Sequence, residues 1–467
     1  MTSKRVALCL LLLVAAPLAA PVATGAQSSL PAAARLHTRT LANGLEVVVV
    51  PNHAIPFATL QIAFRGGAFT QVTQDLHGLP HLLEHMLFQQ ETRAFSSSIG
   101  ARMSELDIST NASTSDESVT YFFVLPSKNA VKGIELLSDM MRRANFEQRA
   151  LTNEARVVRG ELERRASEPA MALFTTADRQ LWTDAGWERK NAGGNLLSVQ
   201  DASVPRMQSL HSRYYVPNNA ALIVAGDVNP DTVFATAERV FGNWRKAADP
   251  LEGIPPIVIP PLTAISREYV PASVRDVTFM VRWHGPSVGS ERAATYAADL
   301  YSAVVNQPLS GTQRRLVESG LFQSVSMSYT TRRFIGPITL MARTTPERAV
   351  AAASQLGVEL RRLSAPDYFS DEDLGFAHKR QRVFRVFEQE VSNIQASMLA
   401  EAWTSADLSY ITTYQDSLSV RTAADLRGFV DTFIKGKGFA VTVMLSNETQ
   451  AEIGARLRTS LNAWRLQ

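Results

Sequence analysis

The chain has 467 residues, 45% of them hydrophobic and 19% charged, a composition that excludes a disordered protein. That length exceeds one ordinary core and calls for two domains. The formal charge is only +3, so no nucleic-acid partner is implied.

The first residues read as a processing signal. Lys4 and Arg5 are a short basic start, Val6 to Ala16 is apolar but too short to span a bilayer, and Thr24-Gly25-Ala26 supplies small residues for cleavage. Residues 1–26 are therefore expected to be a signal peptide, with the mature chain beginning near Gln27. The expected compartment is the periplasm, with secretion as the alternative. Loss of Lys4 and Arg5 lowers the charge to +1. No later run is apolar enough to span a membrane, so no stable insertion is expected after cleavage. Cys9 is the one cysteine and lies in this segment, which excludes a disulfide, a thiolate ligand or a cysteine nucleophile in the mature chain.

Next, "LANGLEVVVVPN" places an Asn43-Gly44 turn before a β-branched strand over Leu45 to Val50. Ala58 to Arg65 is a second strand, ended by Gly66-Gly67. A helix carrying His81 to Phe88 follows. Ser118 to Pro126 is another strand, Val131 to Asn145 and Leu151 to Arg165 are helices, Asn219 to Pro230 holds a buried strand, and Asp231 to Phe241 is helical. "DPLEGIPPIVIPPL" (Asp249 to Leu262) has no helical period and reads as an extended linker. The order then repeats: Val277 to Trp283 as strand, "AATYAADLYSAVV" as helix, Gly336 to Thr344 as strand, "DEDLGFAHKRQRVFRVFEQEV" as a long charged helix, Phe439 to Asn447 as the closing strand. A period of about 200 residues is too long for a solenoid and indicates an internal duplication. The expected fold class is α+β: two homologous sandwich-like domains of mostly antiparallel sheet with helices, at 27–248 and 263–467, joined by the linker 249–262.

"HGLPHLLEHMLFQQ" spans His77 to Gln90. Gly78 suits the entry turn and Pro80 the first helical turn. On a helix, His81, Glu84 and His85 project from one face, because residues three and four apart are neighbours. Two imidazoles on adjacent turns can hold one Zn²⁺. Zinc brings the pKa of a water that it holds to about 7, so the carboxylate between the imidazoles can take a proton at neutral pH. That makes Glu84 the candidate general base. A catalytic zinc site takes three protein ligands and keeps one open position. "NEARVVRGELERR" supplies Glu154 and Glu161, seven apart on one helix face; one can ligate while the other orients a ligand or water from beside it. Taken singly, the histidine pair reads as structural and the two glutamates as a solvated helix face; the combination favours a metal. The equivalent helix of the second copy has no histidine, so one zinc per chain is expected. His77 lies before the helix and is expected to stay outside the site, and His284 reads as structural.

H-x-x-E-H is the inverzincin signature. Over residues 36–450 the chain resembles the pitrilysin, insulysin and mitochondrial processing peptidase family of zinc peptidases. The resemblance implies that Glu161 is the third zinc ligand and Glu154 an assisting carboxylate. "STNASTSDESVTYF" (Ser109 to Phe122) is similar to the family's active-site edge strand, where Asn111 and Ala112 would hold a substrate main chain by strand addition. "YYVPNNAALIVAGDV" is similar to the end of the family's first domain. The implied architecture is half of a clamshell that closes around a peptide, and the implied activity is zinc-dependent endoproteolysis of peptides or unfolded segments. A catalytically silent scaffold subunit is the alternative, and the complete motif weighs against it.

Two stretches depart from the family pattern. Active chambers of the family use an arginine and a tyrosine in a pattern resembling R-x-x-x-G-L-x-Y. Here the region reads "QRRLVESGLFQSVS". Counted from Gly320, the two positions hold Leu316 and Gln323; counted from Arg315, the tyrosine position holds Phe322. Neither register gives the pair. The expectation is a heterodimer in which a homologous, zinc-less chain supplies it, with a homodimer as the other arrangement; Tyr329, Arg332 and Arg333 are nearby substitutes. "FQQE" after the motif replaces the family's Gly-Thr turn.

Overall fold

The computed structural model describes residues 36–92 and 97–466. The signal-peptide reading falls on residues outside that range. Among the described residues, no helix is long and apolar enough to cross a membrane.

Six strands form the first sheet: β1 His37–Thr40, β2 Glu46–Pro51, β3 Phe57–Arg65, β4 Ser109–Thr114, β5 Ser118–Pro126 and β6 Ala220–Gly226. Their order is β1-β2-β6-β3-β5-β4, all antiparallel except the β2–β6 pair. Five main helices accompany it: α1 Leu79–Phe88, α2 Ala130–Arg142, α3 Gln148–Ser167, α4 Pro169–Glu188 and α5 Pro230–Phe241. The second sheet has β7 Ile265–Pro271, β8 Val277–His284, β9 Ser324–Tyr329, β10 Pro337–Thr344 and β11 Phe439–Leu445, in the order β9-β10-β8-β11-β7. Its main helices are α6 Arg292–Val305, α7 Ala349–Arg362, α8 Asp371–Glu390, α9 Ser392–Ser405 and α10 Asn447–Asn462. Without β1, the first sheet has the same order as the second, strand for strand. The one parallel pair recurs too, as β7–β11. This is the duplication expected from the sequence, and both sheets are largely antiparallel.

Strand β5 alternates buried and half-buried residues, as a strand with one face on the core does. Strands β6 and β11 are buried at every position, and β3 at all but its two ends, because helices cover both faces of each sheet. The second cover comes from the opposite half. Helix α9 lies on β3 and β6, and α4 lies on β7, β8 and β11, a reciprocal exchange. Val48, Val50, Ala63, Ile223 and Ala225 of the first sheet thereby join the core of the second half. Leu173 and Ala177 of α4 pack on Val270, Met280 and Met444.

The exchange explains the polar residues inside both sheets, since a buried polar group must find a partner. Thr59 meets Ser392 at 3.2 Å, and Ser397 donates to Gln61 at 3.3 Å. Arg65 donates to the Trp403 carbonyl at 3.1 Å and lies 3.8 Å over its ring. On the other side, Thr442 donates to Gln180 at 2.6 Å, Arg282 pairs with Asp178, and the His284 Nε2–H reaches the Leu181 carbonyl at 2.7 Å. Neither α4 nor α9 is legible as an element in the sequence. Small residues such as Ala396 and Ala400 form the face of α9 that meets the foreign sheet, which dilutes its amphipathic pattern.

Between α5 and β7 the chain has no helix or strand. Its prolines cannot donate, but its carbonyls accept from Arg213 (Pro250, 3.2 Å; Glu252, 2.8 Å) and Arg189 (Pro255, 2.7 Å).

Candidate metal centre

Helix α1 starts where only glycine fits. Gly78 has φ 85°, and a Cβ on it would lie 2.8 Å from the Gly193 carbonyl and 2.9 Å from Val199. Gln71 accepts from the Gly78 N–H at 2.7 Å, while its own amide donates to the carbonyls of Glu188 (3.0 Å) and Asn191 (3.2 Å). The motif helix is thus tied to the loop that follows α4. Leu79, Leu82, Leu83, Met86 and Leu87 are buried, which fixes the rotation of α1 and turns His81, Glu84 and His85 to the cleft.

The structure brings His81, His85 and Glu161 together: one donor atom from each lies within 4.8 Å of the others. His85 Nε2 is 3.5 Å from Glu161 Oε2, and His81 Nε2 is 3.8 Å from the same oxygen. Donors about 2.0–2.1 Å from a tetrahedral zinc sit about 3.3 Å apart, so a small cation fits with slight contraction. His85 donates its Nδ1–H to Glu154 Oε2 at 3.2 Å, which leaves the Nε2 lone pair directed at the centre. Burial first, then the neighbouring His85, push His81 down to about 4, so it is the neutral imidazole that a metal requires. Its Nδ1 is buried and, among the described residues, has no hydrogen-bond partner. Arg165 pairs with Glu161 Oε1 at 2.5 Å and leaves Oε2 for the histidines. Two imidazoles and one carboxylate, all presenting lone pairs to one point, are a donor set suited to zinc.

Glu84 is buried beside this cluster and accepts from Thr114 Oγ1 at 2.6 Å. Burial raises its pKa, and the Thr114 hydrogen bond opposes that rise. Thr114 ends β4, so the candidate base is bonded to the strand expected to hold substrate. Among the described residues, strand β4 is the edge of its sheet and pairs with β5 alone. Thr110 to Thr114, with Asn111 and Ala112 at the centre, line a cleft of about 510 Å³ with His81, Glu84, His85, Glu154, Glu161 and Arg165. The Asn111 side chain accepts from the Ala112 N–H at 2.9 Å, so an incoming strand must displace it to reach that donor.

His77 is held by Glu188 at 3.3 Å and lies outside the cluster. Gln90, in the departing "FQQE", is buried and closes the loop by donating to the Met140 carbonyl and accepting from the Asn145 N–H, both at 3.2 Å. Thr114 and Arg165 were missed by the sequence reading. Arg165 stands one helical turn after Glu161, a usable signal; Thr114 is thirty residues from Glu84 in sequence, and only the fold joins them.

The substitutes for the Arg/Tyr pair are engaged elsewhere. Arg315 makes two bonds of 2.7 Å to the fully buried Glu359. Leu316 and Phe322 are in the core, and Gln323 donates to Asp276. Tyr329 donates to the Pro286 carbonyl at 2.8 Å. Arg332 pairs with Asp116 at 3.0 Å, where Lys190 also binds at 2.8 Å, and the Arg333 N–H is bonded by Glu117. Arg332 and Arg333 are thus engaged at the seam between the halves, and Tyr329 within the second half.

Comparison with known proteins identifies the family. Residues 46–192 match the family described as insulinase (peptidase family M16), and residues 201–381 match the M16 inactive domain. The chain is similar to the zinc protease PqqE of Helicobacter pylori, 28% identical over 47% of this chain and 49% of that protein. It is also similar to the mitochondrial-processing peptidase subunit beta of Blastocladiella emersonii, 24% identical over 47% of this chain and 48% of that one. These matches span about half of each relative. A protease structure from Helicobacter pylori has the same fold, with a TM-score of 0.78 at 21% identity, covering 89% of this chain and all of that one. The chain belongs to the M16 insulinase family of zinc peptidases and has the two-domain architecture of half a clamshell.

Proposed function

We propose that the protein is a zinc-dependent endopeptidase of the periplasm that cuts peptides or unfolded segments and is the catalytic subunit of a heterodimer. The observation that carries the reading is the convergence of His81, His85 and Glu161 within 4.8 Å beside the edge strand β4. Zinc held by these three residues supplies Lewis acidity to water and to the scissile carbonyl. The chain's own groups do the rest. Strand β4 aligns the peptide by main-chain hydrogen bonds around Asn111 and Ala112. Glu84 takes the proton of the attacking water and passes it to the leaving amine, and Thr114 holds its carboxylate in place. Glu154 orients His85 and Arg165 orients Glu161.

The heterodimer is supported by the engagement of Arg315, Tyr329, Arg332 and Arg333 within this chain. A homologous, zinc-less chain carrying the missing Arg/Tyr pair is the partner this implies. The test is hydrolysis of a quenched fluorescent peptide by the zinc-loaded chain alone and mixed with such a homologue. Cleavage only in the mixture is expected. Full activity of the lone chain would overturn the heterodimer, and silence in every mixture despite bound zinc would favour the scaffold.

A further inference from the structure

Beyond Arg165, on the side away from the metal cluster, lies a second cavity of about 320 Å³. It shares Arg165 and Gly193 with the main cleft, so the two are contiguous. Leu162, Met171 and Trp187 form an apolar wall, and Arg179 of α4 stands at the rim. A Cβ on Gly193 would come within 2.9 Å of Leu162, so the glycine keeps the divider between the cavities thin.

The charge balance of this cavity is one-sided. Arg165 bonds one oxygen of Glu161, and a guanidinium has five N–H donors, so capacity remains. Arg179 is exposed and, among the described residues, has no ion-pair partner. Glu163 is the one carboxylate on the wall, and Arg159 holds it at 2.7 Å. Two guanidiniums above an apolar wall suit a carboxylate on a short aliphatic stem, since forked N–H donors match carboxylate geometry.

We propose that this cavity is a carboxylate-selecting subsite of the peptide cleft, taking a glutamate or aspartate side chain, or a free C-terminal carboxylate, near the scissile bond. The proposal rests on the peptidase reading. It is tested with two peptide sets. One carries Glu, Gln or Lys in turn at each position flanking the scissile bond; the other ends in a free or an amidated C-terminus. Both are assayed for kcat/KM with the zinc-loaded protein and its partner. Both are also titrated by fluorescence anisotropy against the zinc-loaded Glu84→Gln protein, so that selectivity is read where nothing is cut.

The carboxylate form is expected to be preferred by about tenfold over the neutral form, the worth of one charge-assisted contact. Preference at one internal position identifies a side chain, and preference for the free terminus identifies the C-terminal carboxylate. Arg179→Glu should invert the internal preference towards Lys, and Arg179→Gln should flatten it. Equal use of Glu, Gln and Lys at every position, with no effect of the C-terminus and no change in either variant, would overturn the subsite. Selective binding without cleavage would instead contradict the peptidase reading and leave the subsite standing.

Discussion

Helices α1 and α6 hold the same place in two sheets of identical strand order, yet their polar atoms are treated in opposite ways. In α6 the buried hydroxyls of Tyr301, Ser302 and Thr295 each donate to a carbonyl, those of Leu363, Ala298 and Arg292. At the candidate metal centre, His81 Nε2 and His85 Nε2 of α1 instead converge on Glu161 Oε2 of α3, at 3.8 and 3.5 Å. Two imidazoles and a carboxylate converging on one point suit a cation, and that sets the candidate metal centre apart from a core helix in the same fold. The second half shows that the sheet and its helices do not need the motif. The motif sits on a scaffold whose second copy has the same strand order without it.

Four substitutions test this contrast, from the largest expected effect to the smallest. His81→Ala should remove the zinc outright and all zinc-dependent cleavage with it, read as metal content after gel filtration, while the circular dichroism spectrum stays native. Trp403→Ala removes the ring by which α9 meets Arg65 of the other half. It should cost about 3–5 kcal/mol in thermal or urea unfolding. If unfolding instead shows two separate transitions, the exchanged helices do not join the halves into one unit. Glu154→Gln weakens the orientation of His85 and should lower zinc affinity about 10- to 100-fold without emptying the site at saturating metal.

The smallest effect concerns the counterpart cavity beside α6. There Asp299, bonded by Tyr414 at 2.8 Å, is pushed up to about 7 by burial first and Glu401 second. A carboxyl raised above its unfolded value favours the protonated fold, so stability falls as pH rises from about 4 to about 7 and then levels. Asp299→Asn removes that dependence. Its melting temperature should match that of the native chain near pH 4 and exceed it by a few degrees near pH 8. The reverse order at pH 8 would contradict the assignment.

Much of the first half was legible in the sequence because its signals are local. The β-branched run before β2's end, the Gly-Pro entry to α1, the i,i+4 histidines and the paired glutamates of α3 each lie within one element. The edge position of β4 followed from the family resemblance, and the duplication from the order of elements. The exchange of α4 and α9 was not legible, because it depends on which sheet a helix meets and not on its own pattern. The same holds for the Arg315–Glu359 pair, which takes a candidate substrate residue out of play across forty-four positions, and for the bond from Thr114 to Glu84.

The most direct test of the central claim joins metal and chemistry in one preparation. Zinc content and peptide hydrolysis are measured side by side for the native protein and for Glu84→Gln, each with the homologous partner chain. The account predicts one zinc per chain in both and a kcat lower by about 100- to 10,000-fold in the variant, the range of a lost general base. Zinc absent from the native protein, or equal rates in the two, would contradict it.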